Sequence, residues 1–368
     1  MSAVELGAPG IWRYADRLPA VDAADRVSLG EGGTPLLDVS ATLGRELGLG
    51  SLRLKAEDRN PTGSFKARIA AVAASLVRTH GLHGLVGTSS GNGGAAAAAY
   101  AAAAGRRAVL FTLSDTLPVK MLEITATGGV AYRVHGVGHD AASTRAVADA
   151  VAAAAERAAY YPMLTGYHYA PEAMRGVETI AWEVIDDGVR PTAVYAPVGG
   201  GGLLTGLHRG FARVGAGVRL VGVHPAGATA LPLALEGRLS GMPGAVETGV
   251  SGLQMAVLYD AVGASTAVEQ SGGHTTAVSD ERIHAAQARL AHAHGLLVEP
   301  AGATAVAGVI ADAESGRLGP DDDVVAVLSG AGYKDTSALQ RLATSADVPI
   351  IAATDVGGVL ARLGEEHA

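Results

Sequence analysis

The chain has 368 residues, of which 48% are hydrophobic and only 17% charged, so it can bury a large interior and is long enough for about two α/β domains. Its formal net charge is −8 and its Lys and Arg residues are scattered, which argues against a nucleic-acid surface. There is no cysteine, which excludes disulfides, thiolate metal sites and a cysteine nucleophile and is typical of the reducing cytoplasm.

The sequence also lacks the signals of export, membrane insertion and metal binding. Its first 14 residues show no basic stretch followed by an apolar core, so we predict no signal peptide. The alanine-rich stretch at 93–104 is shorter than the roughly 20 residues that cross a bilayer. His135 with His139, and His292 with His294, lack the spacing and the carboxylate neighbours of a metal site. We therefore expect no membrane partner and no metal.

Strand-like and helix-like segments alternate along the chain. In order, we predict a strand at 51–56, a helix at 65–79, a strand at 84–88, a helix at 91–104, a strand at 107–112, a helix at 119–127, a strand at 130–134, helices at 141–158 and 173–187, a strand at 193–197, a helix at 203–213, a strand at 219–224, helices at 280–293 and 301–313, and a strand at 323–328. Residues 160–171 and 241–247 are predicted loops. This alternation predicts two α/β domains with mainly parallel sheets.

A lysine stands at a predicted helix start within residues 60–68, NPTGSFKAR. Pro61 and Gly63 end any preceding element, and Ser64 is placed to cap the helix. The positive end of the helix dipole and burial both lower the proton affinity of Lys66, which favours the neutral amine that a Schiff-base nucleophile must be. A solvated surface lysine is the alternative.

Two loops that join a strand to a helix favour anion binding. Residues 88–92, TSSGN, present backbone amides and hydroxyls at a helix start, which suits a carboxylate. Residues 199–203, GGGGL, bring four glycines whose backbone N–H groups can approach a phosphate closely. Their spacing matches neither the dinucleotide fingerprint nor a Walker loop. A capped turn is the alternative for the first loop, and a flexible turn for the second.

A further polar residue, Ser329, follows the last predicted strand in LSGAGYKD at 328–335. Ligands of open α/β sheets bind at the carboxyl ends of strands, so this position indicates a site. A glycine-rich turn that closes the strand is the alternative.

Together these segments resemble the fold-type-II pyridoxal-phosphate (PLP) enzymes, the tryptophan synthase β-like group, and most closely the threonine synthases. The resemblance runs from about residue 30 to 336 and rests on six motifs in order: EGGTPL at 31–36, NPTGSFKAR at 60–68, SSGN at 89–92, GGGGL at 199–203, EPAGA at 299–303 and SGAGYKD at 329–335. It implies PLP in a cleft between two α/β domains. The implied boundaries are an amino-terminal segment that packs with the carboxy-terminal domain, a smaller mobile domain, a large PLP-binding domain and an extension, at 1–54, 55–175, 176–345 and 346–368.

The resemblance also implies a role for each site residue. Lys66 is expected to hold PLP as a Schiff base and to move the proton at the substrate α-carbon. Phe65 is expected to pack near the ring, and Asn92 to donate to its 3′ oxygen. Ser329 is expected to face the pyridine nitrogen, where a hydroxyl favours elimination or replacement over transamination. The implied phosphate cradle is Gly199, Gly200, Gly201, Gly202 and Leu203. The implied grip on the substrate carboxylate is Ser89, Ser90 and Gly91.

Residues 169–179, YAPEAMRGVET, depart from the threonine synthase pattern. Aligned on Gly176, Ala170 and Ala173 replace the Asn and Arg that belong to the region reading a phosphorylated substrate, and Arg175 takes a Glu position. We therefore expect O-phosphohomoserine to be a poor substrate. Three basic residues are candidates for another anion site: Arg68, Lys120 and Arg175.

The chain is accordingly predicted to be a cytoplasmic, homodimeric PLP-dependent lyase of amino-acid metabolism, a threonine-synthase-like enzyme of β/γ-elimination or replacement. The second hypothesis is a threonine or serine dehydratase or a diamino-acid ammonia-lyase, suggested by EPAGA. Its Glu299 either caps the helix after Pro300 or reaches the site as in dehydratase relatives. The third, a catalytically silent PLP-binding protein, is opposed by the intact set of Lys66, Asn92 and Ser329.

Overall fold

The computed structural model describes residues 10–114, 116, 118–135, 137, 141–228, 230–237, 246–255, 257–343 and 348–365. The strands in these ranges are β1 Leu36–Asp38, β2 Ser51–Lys55, β3 Gly84–Gly87, β4 Arg107–Leu113, β5 Val130–Val134, β6 Tyr160–Pro162, β7 Ala193–Pro197, β8 Arg219–Pro225, β9 His274–Val278 and β10 Asp323–Val327. The α-helices are α1 Lys66–Thr79, α2 Asn92–Ala103, α3 Pro118–Ala126, α4 Ala141–Arg157, α5 Pro171–Asp186, α6 Gly202–Arg213, α7 Ala230–Leu235, α8 Ala261–Ser271, α9 Asp280–His294, α10 Pro300–Glu314, α11 Thr336–Leu342 and α12 Val356–Glu365.

The strands form two sheets. The larger has the order β1-β2-β10-β7-β8-β9, and the smaller has the order β5-β4-β3-β6. Every pairing is parallel except that of β1 with β2. The predicted class, a mainly parallel α/β fold, is confirmed. The domain boundaries stay a prediction, although β1 and β2 lie in the same sheet as β7 to β10.

Each predicted strand and helix is present, with ends that shift by no more than two residues. One predicted loop, 160–171, is wrong at its start, because Tyr160–Pro162 forms β6 and pairs with β3. Three residues are too few to show an alternating pattern, so this strand exists only through its pairing. Residues 241–245 of the other predicted loop lie outside the described residues.

The helix that begins at Lys66 is central to the molecule. Its residues from Ala67 to Val77 are all buried, which fits a helix whose side chains are mostly small and apolar on every side. It packs against α2 and α5. The two helices α1 and α5 approach closely at Gly176 of α5, where a Cβ would lie 2.2 Å from the carbonyl oxygen of Arg68. Glycine there lets the two helices touch at the turn that carries the lysine.

The carboxyl ends of the central strands lie side by side. In register, Val327 of β10 is opposite Lys55 of β2, and Ala326 is opposite Tyr195 of β7. Residues that follow these strands therefore meet at one edge of the larger sheet. No helix in the described part of the chain is long and apolar enough to span a membrane.

Candidate active site

The carboxyl end of β10 holds the segment that carries Lys66. Ser329 is buried just beyond this strand, and its carbonyl accepts a hydrogen bond from the amide of Phe65 at 3.3 Å. One residue further on, Gly330 forms an antiparallel bridge with Ser64. The structure thus brings Ser329 to Phe65 and Lys66, which precede it by more than 260 positions in the sequence.

Lys66 is the first residue of α1, and its side chain is partly buried. Its Nζ lies 4.4 Å from the centroid of the Phe65 ring. Burial lowers the pKa of Lys66 to about 8, and the charges of Asp260 and Glu299 oppose this shift. An amine in this state is neutral for much more of the time than a surface lysine, as an amine nucleophile requires.

The predicted cap of α1 is wrong. Phe65 occupies the N-cap position and no side chain caps the helix there, since the bridge with Gly330 holds Ser64 outside the helix. Within the described residues, the buried hydroxyls of Ser64 and Thr62 have no hydrogen-bond partner. Buried polar atoms without partners beside a lysine indicate a place for the polar groups of a ligand.

Asp260 is a site residue that the sequence analysis missed. Its carboxylate accepts hydrogen bonds from the amides of Tyr167 at 2.8 Å and His168 at 3.2 Å, and its own amide donates to the carbonyl of Gly200 at 2.9 Å. Burial raises the pKa of Asp260, while these backbone donors and the charge of Lys66 lower it. Its only sequence signal is its place before α8, a helix that was not predicted.

Glu299 reaches the site, so the structure selects one of its two predicted roles. It stands before Pro300 at the start of α10, but its side chain makes no cap hydrogen bond there. Instead its Oε1 accepts a hydrogen bond from Asn92 Nδ2 at 2.8 Å. A Cβ on Gly330 would lie 2.2 Å from this Oε1, so glycine is required for the carboxylate to fit.

The glycine loop, residues 199–203, lies between β7 and the first turn of α6. Gly201 has φ +88°, a conformation that favours glycine. A Cβ on Gly202 would lie 2.7 Å from Met174 Cε, and Leu203 is buried in the first turn of α6. No side chain caps α6. The backbone N–H groups of its first turn therefore donate to no side-chain partner and point toward the glycine loop. A helix start of this kind favours an anion.

The serine loop, Ser89 to Gly91, lies directly before α2, which begins at Asn92. The amide of Gly91 donates to Ser89 Oγ at 3.3 Å, so the first serine organises the turn. A Cβ on Gly93 would lie 3.1 Å from the same oxygen. Ser90 and Gly91 are partly exposed, as residues that meet a small ligand must be before it binds.

Arg175 is bound to the amino-terminal segment. Its guanidinium donates to the carbonyl of Arg17, on the amino-terminal segment. Within the described residues no hydrogen bond joins it to the group around Lys66, and its role in substrate binding stays a prediction. The side chain of Lys120 lies outside the described residues.

Arg68 cannot supply an anion site, which corrects that expectation. Its guanidinium is fully buried and forms ion pairs with Glu57 at 2.7 Å and with Glu183 at 2.6 Å. Because both carboxylates already occupy its donors, none remains for a substrate.

These residues fit PLP. An amine of lowered pKa, a glycine loop at a helix start, the amide of Asn92 and the hydroxyl of Ser329 are the donors and acceptors that such a cofactor needs. In the described ranges, no group of three or more His, Asp or Glu side chains could hold a metal ion.

Comparison with known proteins identifies the family of the chain. Residues 27–330 match the family described as pyridoxal-phosphate dependent enzyme. The chain is 32% identical to the threonine synthase of Methanocaldococcus jannaschii over 97% of its own length and 87% of the relative's. It is 32% identical to the threonine synthase of Mycobacterium tuberculosis, with 97% and 96% covered. A solved structure of T.th. threonine deaminase superposes with a TM-score of 0.67 at 30% identity, covering 81% of this chain and 92% of that one. The chain therefore belongs to the family of pyridoxal-phosphate-dependent enzymes.

Proposed function

We propose that this chain eliminates or replaces a β or γ substituent of a small amino acid, in the manner of a threonine synthase. One observation carries the proposal: the amine of Lys66 is desolvated and subject to the charges of Asp260 and Glu299, and the amide of Asp260 is bound to Gly200 of the glycine loop. In this proposal Lys66 holds PLP, with Phe65 against the ring. The phosphate lies on Gly199, Gly200, Gly201, Gly202 and Leu203.

The chemistry follows from the residues around the amine. When bound, PLP supplies an electron sink for bonds at the substrate α-carbon. Lys66 Nζ, with its pKa near 8, accepts the α-proton and returns it later in the cycle. Asn92 is fixed by Glu299 at 2.8 Å, so its remaining donor can orient the cofactor's 3′ oxygen. The serine loop, Ser89 to Gly91, binds the substrate carboxylate.

A second candidate, dehydration of a hydroxy amino acid, is favoured by Glu299. In its protonated, carboxylic acid form, a Glu299 side chain within the site can pass its proton to a departing hydroxyl, which is a poor leaving group without one, and is left as the carboxylate. The structural relative named a threonine deaminase is consistent with this reaction. The two candidates differ in the leaving group and share every residue of the cofactor site.

Reduction with borohydride tests the cofactor site. The chain contains four lysines, Lys55, Lys66, Lys120 and Lys334, so peptide mapping is unambiguous. We expect the pyridoxyl group on Lys66. Lys55 is a matched internal control, because it is fully buried and bound to Glu183 at 2.7 Å. A label on any other lysine contradicts the proposal.

A turnover screen tests the reaction. We expect O-phosphohomoserine to react poorly, because Ala170 and Ala173 are buried alanines and Arg175 bonds to Arg17. Two lost charge-assisted donors cost roughly 3–5 kcal/mol, more than a hundredfold in rate or affinity. Efficient release of phosphate with threonine as product refutes this expectation and leaves a plain threonine synthase. Serine or threonine dehydration instead selects the second candidate.

We also propose that the smaller domain spans 55–175, between the amino-terminal segment and a large domain at 176–345, and that the chain works as a cytoplasmic homodimer. The smaller sheet, which lies entirely within residues 84–162, supports the first boundary set. Hydrogen exchange should show the residues of the smaller sheet opening separately from those of the larger sheet, and light scattering should give twice the 36.8 kDa mass of one chain.

A further inference from the structure

Both ends of the segment that carries Lys66 are bound to one carboxylate. Glu57 lies just after β2 and is fully buried. Its Oε2 accepts from Asn60 Nδ2 at 2.9 Å and from Arg68 Nε at 2.7 Å. Asn60 begins the NPTGSFKAR segment and Arg68 ends it. A single side chain therefore closes a loop of nine residues.

The EGGTPL motif completes the same cluster. Thr34 Oγ1 donates to Glu57 Oε1 at 2.5 Å, which also accepts from Arg68 Nη2 at 2.7 Å. The amide of Gly32 donates to Asn60 Oδ1 at 3.0 Å. This motif had no assigned role, and two of its polar groups, the Thr34 hydroxyl and the Gly32 amide, bind Glu57 and Asn60.

The cluster is balanced in charge and closed to solvent. Glu183 pairs with Arg68 at 2.6 Å and with Lys55 at 2.7 Å, so two cations meet two carboxylates. All four side chains are at most 1% exposed. Buried ions that are this fully bonded have one arrangement, and removal of either carboxylate leaves an uncompensated charge. None of the four can touch a substrate, so any effect on catalysis passes through the loop.

The opposite side of the loop is held by main-chain bonds. The amide of Ala331 donates to the carbonyl of Gly63 at 2.8 Å, next to the bond from Phe65 to Ser329. Lys66 thus lies between a main-chain contact with the segment after β10 and the carboxylate of Glu57.

We propose that Glu57 is a positioning residue for Lys66: by binding both Asn60 and Arg68 it holds the segment between them, and with it the amine, in place. This inference rests on the proposed function only in taking Lys66 as the cofactor lysine. Without the two hydrogen bonds from Asn60 and Arg68 to Glu57, residues 60–68 relax and the amine of Lys66 gains contact with water.

The test compares Glu57→Gln with Asp312→Asn. Asp312 is a buried carboxylate that also accepts several hydrogen bonds, including that of Tyr195 at 2.8 Å. It lies on α10 about 20 Å from Glu299, at 1.5 Å of rise per residue. In the cofactor-free protein, the pH dependence of reductive methylation of Lys66 is followed by mass spectrometry. Steady-state kinetics of the holoenzyme and thermal midpoints are measured for both variants.

Both variants should lower the thermal midpoint. Only Glu57→Gln should move the methylation midpoint of Lys66 upward, by about one pH unit, toward the value of an exposed lysine. It should also lower kcat about tenfold or more with little change in KM. If Glu57→Gln only loses thermal stability, as Asp312→Asn does, Glu57 stabilises the fold without positioning Lys66, and the proposal is wrong.

A weaker variant decides the matter if Glu57→Gln does not fold. Thr34→Val removes one bond to Glu57 and should move the methylation midpoint in the same direction by a smaller amount, whereas an unchanged midpoint overturns the proposal. A borohydride label on a lysine other than Lys66 in the unaltered protein refutes the proposed cofactor site instead, so the two failures are distinguishable.

Discussion

The amine of Lys66 is subject to opposing influences. Burial lowers its pKa to about 8, and the negative charges of Asp260 and Glu299 raise it. The balance between them sets how much neutral amine is present at a given pH. Because the backbone amide of Asp260 donates to the carbonyl of Gly200, the residue whose charge acts on Lys66 is also bound to the glycine loop.

We predict that Asp260→Asn lowers the pKa of Lys66 further, by about half to one unit, because a charge that favours the ammonium form is lost. The asparagine oxygen can still accept from the amide of Tyr167, so the local backbone should persist. The pH midpoint of methylation of Lys66 in the cofactor-free protein measures the shift. Asp186→Asn is the control, since Asp186 bonds to Tyr14 instead. An unchanged or raised midpoint contradicts the assignment of Asp260.

Ser329 is buried at the end of β10, and the expectation that its hydroxyl governs the reaction type is open to a direct test. We predict that Ser329→Asp changes the visible spectrum and the product distribution more than it changes cofactor retention, because a carboxylate promotes protonation of a pyridine nitrogen. Ser329→Thr keeps the hydroxyl and should behave like the unaltered protein. If the aspartate variant keeps the same spectrum and products, Ser329 does not face the ring.

At the scale of elements, the glycine loop and α6 offer a matched pair of substitutions. A Cβ on Gly202 would lie 2.7 Å from Met174 Cε and 3.0 Å from the carbonyl of Thr165. A Cβ on Gly206, one turn later, would lie 2.5 Å from Val177 Cγ1. Both positions are crowded, but only the first is at the helix start.

We predict that Gly202→Ala weakens PLP binding by about tenfold to a hundredfold, because the loop must shift to admit the methyl group and its N–H groups lose their alignment. Gly206→Ala should reduce thermal stability with little effect on PLP affinity. Equilibrium titration with PLP, followed by absorbance, measures both. Equal affinities in the two variants argue against the glycine loop as the phosphate site.

Elements and site residues differ in how far the sequence determines them. Local sequence patterns are enough to predict β2, β10 and α1. The sequence also singles out three candidate site residues, because each stands where a strand or helix begins or ends: Lys66, Asn92 and Ser329. β6 has three residues and Asp260 lies 194 positions after Lys66, so both depend on partners that only the folded chain supplies. The same holds for Ser64, whose expected cap is replaced by a bridge to Gly330.

At the scale of the whole molecule, the buried ion cluster ties the amino-terminal segment to α1 and α5. Burial raises the pKa of Glu183, but the charges of Arg68 and Lys55 and their hydrogen bonds outweigh it and hold the pKa below its usual value of 4.5. A carboxylate with a lowered pKa stabilises the fold above pH 4.5, and this contribution is lost as the pH falls below it.

We predict that Glu183→Gln lowers the free energy of unfolding at pH 7 by about 3–5 kcal/mol, because Arg68 and Lys55 lose their shared partner. The loss should shrink as the pH falls from 5 toward 3, because the unaltered protein then gives up the same ion pairs. Urea unfolding at several pH values measures this. Glu314→Gln, at an exposed pair with Arg282, should change little. A loss that is constant with pH contradicts the assignment.

The place of β10 between β2 and β7 constrains the order of events during synthesis. The smaller sheet needs no residue beyond Pro162, so it can pair early. The larger sheet stays divided until residue 327 has left the ribosome, and until then β2 and β7 each keep one unpaired side. Lys66 is therefore made early and meets Ser329 last. A nascent chain arrested before Asp323 should bind no PLP, however long it is given to fold.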